Sequence, residues 1–137
     1  MTLEAKLIYQ TGIPVPFTCA DGAGIEKGAI LKLTDPMTVA TTAADNDIII
    51  GIAAEEKIAN DGKTKIGVHL EGIFRGTAGN AGVTIGLNLI SDAGTGDANE
   101  LVVASGASEQ IVGRALETAT NLQTFMFILA PFNFDIA

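Results

Sequence analysis

One histidine, one cysteine and sixteen carboxylates are the side chains on which acid–base, nucleophilic or metal chemistry would first fall in this 137-residue sequence. A Ser–His–Asp or Cys–His arrangement needs an imidazole as base, and His69 is the one available. It stands between Gly67 and Glu71 on the polar side of an alternating stretch, a position that reads as surface or interface and not as a catalytic centre. Cys19, flanked by Thr18 and Ala20, has no basic neighbour to lower its pKa and reads as a small buried or arm residue. A lone cysteine makes no intramolecular disulfide and no cysteine metal cluster. Asp92, Asp97, Asn99 and Glu100 share one loop and could offer oxygen ligands to calcium. Their spacing matches no EF-hand, and Gly94 and Gly96 equally fit a plain hairpin loop. Asp45-Asn46-Asp47 and Glu55-Glu56 read as solvated turn and strand-edge charges. Paired acids that cleave sugars need a groove with aromatic platforms, and there is no Trp and one Tyr. The glycines of Gly22-Ala-Gly24-Ile-Glu-Lys-Gly28 are spaced wrongly for a dinucleotide fingerprint, and no Gly-Lys-Ser/Thr marks a P-loop. The expectation is therefore a protein that is not an enzyme, with no cofactor and no metal.

Charge narrows the partners. Lys and Arg number 8 against 16 Asp and Glu, giving a formal net charge of −8. A phosphate backbone or an anionic membrane demands clustered positive charge, and no basic run exists. Nucleic acid and membrane are excluded as expected partners. The N-terminal stretch lacks the apolar core of a signal peptide, and no run reaches the 18 or so apolar residues of a membrane span. The expectation is a soluble protein made in a cytoplasm.

The elements that would position these groups are strands. Residues 1–20 carry Leu3, Leu7, Ile8, Tyr9, Ile13, Val15 and Phe17, interrupted by Pro14 and Pro16. Proline lacks an N–H and fixes φ, so this segment reads as an extended N-terminal arm, with a compact β domain over 21–137. Strands are expected over 28–34, 47–54, 64–72, 82–90, 111–117 and 124–130, separated by Gly, Asp, Asn and Pro turns. Residues 64–72 alternate, with Ile66, Val68 and Leu70 on one side. Residues 125–130 are apolar on both sides and read as central or as meeting a neighbouring subunit. A helix over 115–121 is weakened by Thr118 and Thr120.

An internal repeat organises the chain. Gly28-Ala-Ile-Leu-Lys-Leu-Thr-Asp35 aligns with Gly86-Leu-Asn-Leu-Ile-Ser-Asp92 when one residue is skipped. Ile50-Gly-Ile-Ala-Ala-Glu55 aligns with Val112-Gly-Arg-Ala-Leu-Glu117. Gly51 and Gly113 in mid-strand point to bulges or tight bends. The fold class expected is all-β: a small single-domain β-barrel or β-tulip-like fold with an internal pseudo-repeat and an extended arm, the two meanders closing on each other.

With these motifs in view the chain resembles the capsid decoration, or cement, proteins of tailed phages. The likeness runs from Pro16-Phe17-Thr18 through Gly24-Ile-Glu-Lys-Gly-Ala-Ile-Leu-Lys-Leu33 and Ile49-Ile-Gly-Ile-Ala-Ala-Glu55. It continues through Val68-His-Leu-Glu-Gly-Ile-Phe74 to Ile111-Val-Gly-Arg-Ala-Leu-Glu117. The order of these motifs is also similar to the lambda-type trimeric head-stabilising protein, a β-tulip. The resemblance implies a homotrimer on the outer surface of an icosahedral head, bound to the major capsid protein and clamping neighbouring subunits. The arm residues Leu3, Leu7, Ile8, Tyr9, Ile13, Val15 and Phe17 are the candidate capsid contacts, adding a strand to an exposed sheet edge. A carbohydrate- or receptor-binding β module of a fibre or cell surface is the alternative.

Overall fold

The computed structural model describes residues 3–44, 47–93, 97, 99–105 and 109–131. Among them lie eleven strands and no helix. Short runs of Ile, Val, Leu and Phe alternate with polar residues, and the inward members fill two separate interiors. Strands β2 (Val15–Thr18), β3 (Ile30–Asp35), β4 (Thr38–Thr41), β5 (Ile49–Ala53) and β6 (Lys65–His69) close into a barrel in the order β2-β4-β3-β5-β6. Strands β7 (Gly72–Ala78), β8 (Asn88–Ser91), β9 (Glu100–Val103), β10 (Gly113–Ala115) and β11 (Thr124–Leu129) repeat that order, closing through a β7–β9 pairing. In each copy the closing pair is parallel and every other pair antiparallel: Thr18 faces Thr38 in barrel 1, and Thr77 faces Glu100 in barrel 2.

The repeat read from the sequence is thus a repeat of whole barrels. Each meander closes on itself, where a single barrel or sandwich built from both was expected. The reason is the β2–β4 and β7–β9 pairing, which joins the first and last edges of each meander within its own half.

Residues expected to form a separate arm belong to the body. Val15–Thr18 is a stave of barrel 1, paired with β6 over Val15 to Thr18, and Phe17 is buried in its interior. Strand β1 (Lys6–Tyr9) adds to β7 as a sixth antiparallel strand of the second sheet. Just before it, Ala5 N–H donates to Gly28 O of barrel 1 at 2.9 Å. The segment is extended, as its prolines require, but it straps one barrel to the other. The weak helix expected over 115–121 is absent; Ala119 makes a β-bridge with Val83 instead.

The barrels adhere through apolar side chains. Ile30, Ile49 and Ile52 stand on barrel 1 but pack into one cluster with Phe74, Leu89, Leu101, Phe125 and Phe127 of barrel 2, with Ala5 and Leu7 of the strap against it. Burying those three isoleucines contributes several kcal/mol, at about 1.5–3 kcal/mol each. One polar bond crosses with them: Ile30 N–H donates to Asn99 Oδ1 at 3.0 Å.

Candidate binding surface

The expected capsid contacts part company. Phe17 is a core residue, Val15 packs beside it, and Leu7 leans on the shared core. Leu3 and Ile8 are half-buried. Tyr9 and Ile13 stand free, 62% and 85% exposed. Of the seven candidate contacts, these two are exposed.

His69 departs from the expected surface position. Its side chain points outward from barrel 1, as the alternation requires, but barrel 2 covers it: it is 6% exposed, with its ring edge-on to Phe74 at 5.5 Å. Burial lowers its pKa, and the Lys27 ammonium adds to the effect, so the imidazole is held neutral. Its Nδ1 finds no hydrogen-bond partner. Beside it, an open cleft of about 600 Å³ runs between the strap and barrel 1, lined by Glu4, Lys6, Leu7, Gln10, Lys27 and His69 among others. Burial, and then a hydrogen bond to the Glu26 carboxyl, raise the pKa of Glu4. A neutral imidazole without an orienting carboxylate or a nucleophile beside it makes no triad. Burial likewise pushes the Cys19 thiol up, away from reactivity.

The carboxylates considered for metal serve the backbone. Asp97 Oδ1 accepts from Asn99 N–H at 2.8 Å, and Glu100 Oε1 accepts from Asp97 N–H at 3.1 Å. Gly94 and Gly96 lie outside the described residues, as do Asp45 and Asn46. Among the described residues no three of His, Cys, Asp and Glu are grouped to hold a metal ion. Asp47 accepts from Ala43 N–H and Ala44 N–H at 2.8 and 2.9 Å, and these bonds, the first above all, lower its pKa.

Many of these roles occur twice. Glu55 Oε2 accepts from Gly67 N–H at 2.8 Å, and Glu117 Oε1 accepts from Met126 N–H at 2.9 Å, each glutamate reaching back across its hairpin. Asp47 and Glu109 both brace the loop after β4 or β9 through a backbone amide. Gly28 N–H donates to Ala53 O, and Gly86 N–H to Ala115 O, both glycines at positive φ. Asn60 and Leu122 share the left-handed position of the hairpin loop. Barrel 1 alone encloses a charge there. The Lys57 ammonium is fully buried and donates to Asp21 O (2.7 Å), Ile58 O (3.1 Å) and Asp61 Oδ1 (3.3 Å), whereas its counterpart in barrel 2 is Ala119.

What the sequence reading passed over is the outer face of barrel 2. Ile85, Leu87, Leu116, Leu122 and Ile128 are large, apolar and exposed. The aligned repeats held a signal for it, since Lys27 precedes Gly28 where Ile85 precedes Gly86, and Ala54 precedes Glu55 where Leu116 precedes Glu117.

No protein-family model and no curated protein matches the chain. Among solved structures it is similar to one described as the crystal structure of head fiber gp8.5 N base in bacteriophage phi29. The likeness has a TM-score of 0.57 at 18% identity, and covers 88% of this chain and 98% of that one. At that identity it is a likeness of fold: the all-β, two-barrel architecture is shared over nearly the whole of both chains.

Proposed function

We propose that this chain is a structural component of a phage virion, seated on the outer surface of an icosahedral head as a homotrimer, where it clamps neighbouring subunits of the major capsid protein. The observation that carries the reading is the two-barrel fold held in common with the phi29 head fiber base across 88% of this chain. The motifs quoted above as resembling decoration proteins support it independently. So does the site chemistry: the single histidine is buried and neutral, and the single thiol is buried and raised. A net charge of −8 suits a place facing solvent and not one facing packed DNA.

The mechanism is mechanical. Packed DNA pushes the shell outward, and a symmetric clip that touches several subunits holds each contact at high effective concentration for the others. Cyclic symmetry lets equivalent surfaces meet equivalent sites. Strand β1 is already occupied by β7, so the anchoring side chains are Tyr9 and Ile13 on the strap's exposed side. The likeness to a fibre base favours a second reading of the same seat, in which the module is a head-bound anchor and not a clamp. Co-sedimentation with purified heads tests the common part: Tyr9→Ser with Ile13→Ser should weaken binding about tenfold or more, as lost interface anchors do. Intact protein that stays in the supernatant at micromolar heads would overturn the proposal. Bound protein that leaves the thermal rupture temperature of heads unchanged would favour the anchor over the clamp.

A further inference from the structure

The two barrels share their ladders and differ in what covers them. In barrel 1 the outward row His69–Ile52–Ile30 crosses β6, β5 and β3. All three are buried, beneath Phe74, the strap and the rest of the shared core. The equivalent row in barrel 2 is Ile128–Arg114–Asn88, across β11, β10 and β8. Two of its three positions are open, Ile128 at 38% exposed and Arg114 exposed, while Asn88 is half-buried. Differences between the copies run against what solvent rewards. Where barrel 1 has Lys27, Ala54 and Gly67, barrel 2 has Ile85, Leu116 and Met126, and Ile85 is 61% exposed. These side chains adjoin one another, since Gly86 N–H donates to Ala115 O and Leu116 N–H to Met126 O. A contiguous apolar face rimmed by charge marks an interaction site. The chain's two arginines both stand here: Arg75 pairs with Glu117 at 3.8 Å, and Arg114 is exposed within the row itself.

The occupant is indicated by what covers barrel 1. Barrel 2 reaches the Ile30 row through Asn99, on the loop leading into β9. The ladders place Met37 at the same position in barrel 1, because Leu33 faces Val39 as Ser91 faces Leu101. Met37 is 53% exposed on a tight turn beside Asp35 and Pro36. In barrel 2 the residue equivalent to Ile30 is Asn88, whose Oδ1 is buried without a hydrogen-bond partner.

We propose that the bare face of barrel 2 receives the Met37 turn of a second copy of this chain, head to tail, as the face of barrel 1 receives the Asn99 loop. Met37 meets the apolar patch, and Asp35 meets Arg114. Such a heterologous contact repeats until it closes into a ring. The inference rests on the self-assembling part of the function proposed above and not on head binding, so its test contains no heads and either idea can fail alone.

The experiment is light scattering coupled to size-exclusion chromatography on the full chain, at concentrations from micromolar to millimolar. Intact protein should give a mass that is a multiple of 14.1 kDa. Ile128→Lys on the face, or Met37→Asp on the turn, should weaken association about tenfold or more. Asp suits the positive φ at that position, so the turn variant keeps its backbone conformation. Mixing the two variants leaves one intact face and one intact turn, and should yield a 1:1 dimer that grows no further. Intact protein that remains at 14.1 kDa throughout would overturn the proposal. So would variants that associate like the original, or a mixture of folded variants that stays monomeric.

Discussion

Replacing Gly51 or Gly113 with alanine should weaken the fold by about 1–3 kcal/mol, although neither change removes a hydrogen-bonding group. Both glycines sit where a strand crosses its neighbour closely. A Cβ on Gly51 would lie 2.8 Å from Val68 Cγ1 and closer still to the His69 carbonyl oxygen; one on Gly113 would lie 3.0 Å from the Ile128 carbonyl carbon and closer still to its oxygen. Ordinary carbon contacts begin near 3.5 Å, so one strand must retreat on the order of 1 Å. The obstacle is backbone held in the ladder, which a packed interior does not yield cheaply. Overpacking typically costs about 1–3 kcal/mol and sometimes more. Reduced freedom of the unfolded chain returns about 0.4–1 kcal/mol. Because the barrels share one apolar cluster, either substitution should lower a single cooperative transition, by roughly 3–15 °C at about 3–5 °C per kcal/mol for a chain of this size. Gly24→Ala serves as the control, since its nearest neighbour would be the Lys57 carbonyl oxygen at 3.5 Å, an ordinary contact. Calorimetry and urea titration read all three. A Gly51→Ala protein within about 0.5 kcal/mol of the original would refute the close-approach account, as surface changes of no consequence stay inside that range.

Lys57→Met should cost about 2–4 kcal/mol in urea denaturation, because the carbonyls of Asp21 and Ile58 lose a charged donor inside the loop region of barrel 1; a variant as stable as the original would show that water replaces the ammonium freely. Stability should also fall in acid. The folded pKa values of Asp47, lowered first by the Ala43 amide, and of Glu55, lowered first by the Lys63 ammonium, lie below their unfolded values. Their contribution is therefore fully present above about pH 5 and lost as the pH drops through the depressed folded values. Glu4 works the other way, since burial raises its carboxyl, so ionising it costs stability as the pH rises through the raised value. Unfolding midpoints measured from pH 2 to 7 should show the acid-side loss shrink in Asp47→Asn; an unchanged acid slope would remove Asp47 from the account.

How much of this was legible in the residues depended on what each signal encodes. Alternation in Ile66 and Val68 marked a half-buried strand, and the paired Gly-x-Ala-x-Glu motifs marked a duplication, because both record local backbone demands: a glycine where strands cross and a glutamate that reaches back to an amide. Closure was not legible. Strands β4 and β9 are four residues each, and Thr38–Thr41 carries little apolar pattern. Yet the parallel pairing of these two strands with β2 and β7 decides that there are two barrels. Gly72–Ala78 was passed over because Gly-Ile-Phe-Arg-Gly-Thr-Ala interleaves glycines with its apolar residues, and the expected strand over 64–72 absorbed its start. His69 was assigned to a wet face because alternation reports which side of a sheet a residue takes; it does not report whether another barrel lies on that side. Prolines 14 and 16 rightly marked extended chain, but a barrel stave and a free arm have the same local conformation, and only long-range pairing separates them.

The comparison of the two copies carries the functional argument further than either copy does alone. Positions that keep one hydrogen-bonding role in both, such as Glu55 with Glu117, Asp47 with Glu109 and Gly28 with Gly86, are those the barrel itself requires. Outward-facing positions where the copies differ are free of that requirement, so their chemistry reports what each barrel meets from outside. In barrel 1 all three positions on the outward row differ, and His69, Ile52 and Ile30 are buried against barrel 2. In barrel 2 the same row holds Asn88 and Arg114, polar residues that would be poor inside a fixed core but suit a contact formed and broken with a separate chain, flanked by apolar Ile128, Leu116 and Ile85. Interfaces between chains are enriched in arginine and carry direct hydrogen bonds, whereas interfaces fixed within a chain resemble its core. The duplicated fold therefore presents one buried seam and one exposed counterpart of it, the surface to which the proposed second copy is assigned.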